Sequence, residues 1–146
     1  MQDRSPAQIY ALLFGVVLVG AGIMGFFYNS TFTSDKSVRD AVLGILDVNG
    51  WHNVVHIATG VLGLLAFSGG YYYARTYAFG LGAVYIAVAV WGFIIGSGDS
   101  ILSIIPVNTE DNFLHLLIGI AGIGAGLATP AEPAPTTVGA PPATPA

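Results

Sequence analysis

The sequence predicts an all-α integral membrane protein: a four-helix transmembrane bundle made of two repeated helical hairpins with pseudo-twofold symmetry. Three observations predict it. Four stretches are long and apolar enough to cross a bilayer. Charged residues make up only 8% of the chain and hydrophobic residues 54%, whereas a soluble domain carries about 25% charged residues, so the surface suits lipid better than water. The chain also matches itself when it is shifted along its own length.

The elements follow in order. About 20 helical residues cross the roughly 30 Å of hydrocarbon, and the first span runs over about 6–28. Ser5 is placed to cap it, and Pro6 suits the first turn, where its missing N–H would be unpaired anyway. Arg4 ahead of the apolar run 9–27 resembles a signal peptide, but the run exceeds a usual h-region and has no clear A-x-A site, so it is read as a retained span. In the loop 29–48, Val38, Val42, Ile45 and Leu46 have helical spacing beside Lys36, Arg39 and Asp40. That loop reads equally as a short interfacial helix or as a simple folded loop. The second span, about 50–67, stops at Gly69-Gly70; the third, about 74–95, at Gly96-Ser97-Gly98; the fourth, about 108–128, at Pro130. Helix is the state that fits, because each unpaired backbone group in lipid costs several kcal/mol and four segments cannot close a barrel. Residues 1–128 thus form one membrane domain of two hairpins, about 5–68 and 72–128, and residues 129–146, nearly all Pro, Ala, Thr and Gly, are expected to be a disordered tail.

The repeat is specific. With a shift of 59, residues 43–66 fall on 102–125 and nine of the 24 positions are identical, among them Asn49/Asn108, Asn53/Asn112, His56/His115, Gly60/Gly119 and Gly63/Gly122. With a shift of 67, Ala7, Tyr10, Ala11, Gly15, Val17, Gly25 and Phe26 fall on Ala74, Tyr77, Ala78, Gly82, Val84, Gly92 and Phe93. Each unit crosses twice, so both enter from the same side, as in a parallel repeat about an axis along the membrane normal. Arg4 and Arg75 lie on the side of the termini, and Lys36 and Arg39 on the other. The count is a tie, but Lys36 and Arg39 sit farther from the spans, and the reading places both termini in the cytoplasm.

Asn49, Asn53, His56, Gly60 and Gly63 are spaced along one helix face, and Asn108, Asn112, His115, Gly119 and Gly122 repeat it. Polar span residues face the protein interior and small residues allow close approach, so these stripes are expected to face each other across the axis. His56 and His115 each lie seven residues past their cap, about 10 Å down the helix at 1.5 Å per residue. His52 and Asp111 occupy equivalent positions four residues earlier. Three imidazoles and a carboxylate could therefore converge at the mouth of the bundle, a set suited to zinc, iron or copper. Alternatively His56 and His115 could hold a haem. Against both stands a structural reading, in which the asparagines cap helices and the polar groups bond across helices as packing glue.

Other classes find little support. There is no basic patch for nucleic acid. The absence of Cys excludes disulfides, thiolate metal sites and cysteine nucleophiles. No Ser-His-Asp or HExxH signature is visible, and the glycines lie inside apolar spans instead of phosphate loops. Asp47, Asp99 and Glu110 could line a path for cations, or simply be solvated loop acids.

Several segments together resemble the bacterial membrane family known as domain of unknown function 4383. They are Arg4-Ser5-Pro6-Ala7-Gln8, Gly25-Phe26, Val48-Asn49 with His52-Asn53 and His56, Ala74-Arg75, and Val107-Asn108 with Asp111-Asn112 and His115. The resemblance covers about residues 4–128 and implies a four-span protein of the bacterial plasma membrane; it implies no activity. Three functional readings follow. The first is a non-enzymatic structural or accessory subunit that works in the lipid bilayer with a membrane-protein partner or as a homo-oligomer. The second is a redox or metal protein using His56 and His115, with His52 and Asp111 as further ligands. The third is a small transporter or channel subunit.

Overall fold

The computed structural model describes residues 4–131. Its four long helices are α1 (Pro6–Tyr28), α2 (Gly50–Ser68), α3 (Tyr71–Ile95) and α4 (Thr109–Ala128), each long and apolar enough to cross a membrane. Only 33–39% of each apolar window is buried within the chain, so most of the apolar surface of every helix faces outward, as lipid contact requires. The helix starts obey local chemistry. The Ser5 side chain accepts from Gln8 N while Gln8 Oε1 accepts from Ser5 N, a capping box. Asn49 accepts from His52 N at 3.0 Å and Asn108 from Asp111 N at 2.8 Å, which satisfies N–H groups that have no partner within the helix.

The loop before α2 holds no helix; residues 29–39 are irregular and 40–48 are ordered as strands. The ordered part folds as an antiparallel hairpin, β1 (Asp40–Val42) on β2 (Leu46–Val48), and a shorter copy precedes α4, β3 (Ser100–Ile101) on β4 (Ile105–Pro106). The helical spacing of Val38, Val42, Ile45 and Leu46 is not realised. The turn explains why: Leu43 and Gly44 have φ of 54° and 73°, and Leu102 and Ser103 have φ of 51° and 62°. Positive φ at both central residues is the type I′ geometry that matches strand twist. Val42 and Val48 point inward while Leu43 stays exposed.

Within each unit the helices pack as pairs, α1 along α2 and α3 along α4. The glycine stripes decide this, and they correct the expectation that α2 and α4 face each other. A Cβ on Gly60 would lie 2.6 Å from Val19 N, and one on Gly119 would lie 2.9 Å from Ile86 N. These are backbone-to-backbone approaches to α1 and α3. The two pairs meet through a core of small residues and tyrosines, including Ala7, Ala11, Ala74, Ala78, Tyr10 and Tyr85. Tyr10 donates to Ile118 O and Tyr77 to Thr59 O, both at 3.1 Å. Each tyrosine thus reaches a carbonyl of the other pair.

Both ends are tied. At the terminal end Ala7 N donates to Thr129 Oγ1 at 2.9 Å, Arg75 Nε donates to the carbonyls of Gly126 and Thr129, and Tyr71 donates to Pro130 O. Thr129, expected in the tail, is therefore buried in the fold; the rest of that expectation, from residue 132 onward, lies outside the described residues. At the opposite end Lys36 pairs with Asp99 at 2.5 Å and Arg39 with Asp47 at 3.3 Å, and Arg39 Nη1 donates to Gly98 O. Lys36–Asp99 and Arg39–Gly98 thus join the two loops, while Arg39–Asp47 braces the first.

Candidate metal centre

The site begins with the two cap residues. While its oxygen caps its own helix, Asn49 Nδ2 donates to Ile104 O at 2.7 Å, and Asn108 Nδ2 donates to Ile45 O at 2.6 Å. Ile45 and Ile104 are themselves equivalent under the shift of 59. Each helix start is thereby clasped to the opposite hairpin, which draws the first turns of α2 and α4 together. Asn53 and Asn112 sit one turn deeper and face their own partner helices. Each Oδ1 is buried without a hydrogen-bond donor and occupies the direction where Gly25 or Gly92 carries only hydrogen; a Cβ there would lie 1.9 Å away. The contact is of the Cα–H···O kind. Asn53 Nδ2 also donates to Asn29 O at 2.7 Å, closing the end of α1. The four asparagines are therefore occupied in capping and packing.

The histidines are separate from them. One ring nitrogen from each of His52, His56 and His115 can be chosen so that all three lie within 4.8 Å of one another. Ring centroids are 4.4 Å apart for His52–His56, 6.0 Å for His52–His115 and 6.3 Å for His56–His115. His52 is fully buried, and its Nδ1 lies 2.8 Å from Asp47 O. A carbonyl can only accept, so this contact puts the proton on Nδ1 and a lone pair on Nε2 of the neutral ring. The Pro106 carbonyl lies beside the same ring. His115 Nδ1 is buried with no hydrogen-bond partner. Four-coordinate zinc with nitrogen bonds of about 2.0–2.1 Å needs nitrogens about 3.3 Å apart, a spacing inside the 4.8 Å that bounds the trio.

Asp111 does not join the trio. Its Oδ2 accepts from Asn108 N at 3.1 Å and from Asp47 N at 3.0 Å, linking the cap of α4 to strand β2. The sequence reading missed Tyr85, whose ring centroid lies 5.1 Å from that of His115 and whose hydroxyl is buried without a partner. The signal was present: under the shift of 67, Tyr85 stands where the first unit has Leu18, a phenol in place of an aliphatic chain. Beside the trio lies a cavity of about 70 Å³ walled by Val84, Tyr85, Val88, Ile101 and Ile105.

Four apolar helices and a polar cluster under one end define a multi-span membrane protein. The chain belongs to the family described as Domain of unknown function (DUF4383), whose profile matches residues 8–128. Comparisons with curated proteins and with solved structures give no match.

Proposed function

We propose that this is a non-enzymatic membrane protein that holds one transition-metal ion through His52, His56 and His115. The carrying observation is the convergence of three imidazoles, one ring nitrogen of each lying within 4.8 Å of the others; on the same His115 ring Nδ1 is buried and unpartnered. A buried polar atom without a partner costs about 1–3 kcal/mol, and a bound ion would relieve it. The Asp47 carbonyl on His52 Nδ1 is the outer-shell contact that orients a ligating imidazole. Imidazole suits zinc, copper, iron and nickel. Three protein ligands leave a fourth position for water or another small ligand.

The matched contacts of Asn49 and Asn108, and of Tyr10 and Tyr77, support a pseudo-twofold relation between the units. The resemblance and the placement of Arg4 and Arg75 support a bacterial plasma membrane location with cytoplasmic termini.

The test is metal loading of chelator-treated protein in detergent. Cobalt(II) should bind one per chain and give the intense visible bands of a tetrahedral site. A His56→Ala, His115→Ala double variant should lose them while keeping its helical circular dichroism. Failure of the wild-type protein to bind zinc, cobalt or copper at one per chain would overturn the proposal and return the histidines to packing.

A further inference from the structure

A second opening reaches the same region from the lipid side. A groove of about 420 Å³ runs between the outward face of α1 (Val16, Val17, Gly20, Ala21, Met24) and the β1–β2 hairpin (Val42, Leu43, Leu46, Val48), with His52, His56 and Asp111 among its lining residues. Its walls are exposed: Val16 by 57%, Met24 by 46% and Leu43 by 73%. The two histidines and Asp111 are its polar end. Asp111 is 3% exposed, and with two N–H groups on Oδ2 its Oδ1 has no hydrogen bond among the described residues. The ring nitrogens of His56 have none either.

The repeat supplies an internal comparison. Under the shifts of 67 and 59, the groove residues Ala21, Val42, Leu46 and His56 correspond to Val88, Ile101, Ile105 and His115, and Leu18, buried and not lining the groove, corresponds to Tyr85. Val88, Tyr85, Ile101, Ile105 and His115 line the 70 Å³ cavity. The two openings are thus the same place in the two units. Bulkier side chains have filled one, and smaller ones leave the other open toward lipid.

We infer that the open groove binds a membrane-dissolved amphiphile with an apolar tail and a hydroxyl head, the tail along α1 and the hairpin and the head donating to Asp111 Oδ1 within reach of His56. The volume falls in the range of small-ligand sites, about 300–1,000 Å³, and an apolar groove with an acceptor at its polar end selects such a molecule over a plain hydrocarbon. The inference does not rest on a bound metal.

The experiment uses full-length, chelator-treated protein in phosphatidylcholine bilayers and a diazirine-tagged dodecanol as the probe. Cross-linked sites are read by mass spectrometry. Labelling should concentrate on residues 16–24 and 42–48, at least fivefold above lipid-facing Val90 and Ile94, and excess untagged dodecanol should compete it away. The tagged methyl ether, which cannot donate a hydrogen bond, should show no enrichment. Ala21→Leu, which narrows the groove, should cut the labelling at least threefold; Gly80→Ala on α3, outside the groove and with nothing within 4 Å of an added Cβ, serves as a control and should leave it unchanged. Even labelling over all lipid-facing residues, or equal enrichment with alcohol and ether, would overturn the inference. Because the protein is metal-free throughout, failure of the metal proposal leaves this result unaffected.

Discussion

A methyl group has no room at Gly25 or Gly92. Each Cβ would fall 1.9 Å from the buried Oδ1 of Asn53 or Asn112, and that oxygen cannot swing away without breaking helix packing. Overpacking of this kind typically costs about 1–3 kcal/mol. Gly25→Ala and Gly92→Ala should each lower the unfolding midpoint in detergent, whereas Gly124→Ala, with open space around it, should not. An unchanged midpoint for Gly25→Ala would mean that Asn53 does not hold its place. The reverse effect is expected at Ser103, an exposed residue with φ of 62°. An L-residue pays about 1–2 kcal/mol in the left-handed region, and glycine regains part of that despite its greater freedom in the unfolded chain. Ser103→Gly should therefore stabilise by about 0.5–1 kcal/mol, read as a higher midpoint.

At the scale of elements, Asn49 and Asn108 each perform two tasks with one amide: the oxygen caps a helix and the nitrogen clasps the opposite hairpin. Losing a cap costs about 0.5–2 kcal/mol and a neutral hydrogen bond about 0.5–1.5 kcal/mol. Asn49→Asp keeps the acceptor oxygen and removes the donor, so it should cost less than Asn49→Ala and isolate the clasp. Equal losses for both variants would assign the whole effect to the clasp. These helix starts were legible in the sequence because capping asks for one small polar residue at one position, and the repeat marked both copies. The hairpins were not legible. Leu43-Gly44 lacks the usual Asn-Gly signal, and the neighbouring aliphatics fit a helical period as well as a strand. The partner of the glycine stripes was also hidden, because a stripe says that something approaches closely and not which helix does.

For the molecule as a whole, the far end carries its few charges in one belt, and this gives a pH dependence. Asp99 is held below its usual 3.8, chiefly by the hydrogen bond from Lys36 and also by the Ser100 amide. A carboxylate whose pKa falls on folding contributes its stability in full above the unfolded value and loses it as pH falls through the folded value. Asp99→Asn should therefore matter at neutral pH and cease to matter once acidification has carried the pH through the lowered folded value. Unfolding midpoints of the two proteins measured from pH 7 downward should converge; curves that stay parallel would exclude the Lys36–Asp99 link as the cause. The four spans and their order could be read from hydropathy alone, since lipid imposes one length and one state on each. That His52, His56 and His115 could come together was legible from the repeat; that Asp111 stays apart needed the structure, because its Oδ2 is taken by the N–H groups of Asn108 and Asp47.

The exchanged asparagine clasps also bear on biogenesis. The first hairpin leaves the ribosome complete in its own glycine packing, yet the Asn49 amide and the Ile45 carbonyl find their partners only on residues 104 and 108. Until the second hairpin has been translated and inserted, the first has an unlatched mouth, with two thirds of the histidine trio already made and the third absent. A nascent chain arrested after residue 95 should therefore insert as two helices and remain protease-sensitive at the β1–β2 hairpin. Protection should arrive in one step, when the second asparagine is delivered.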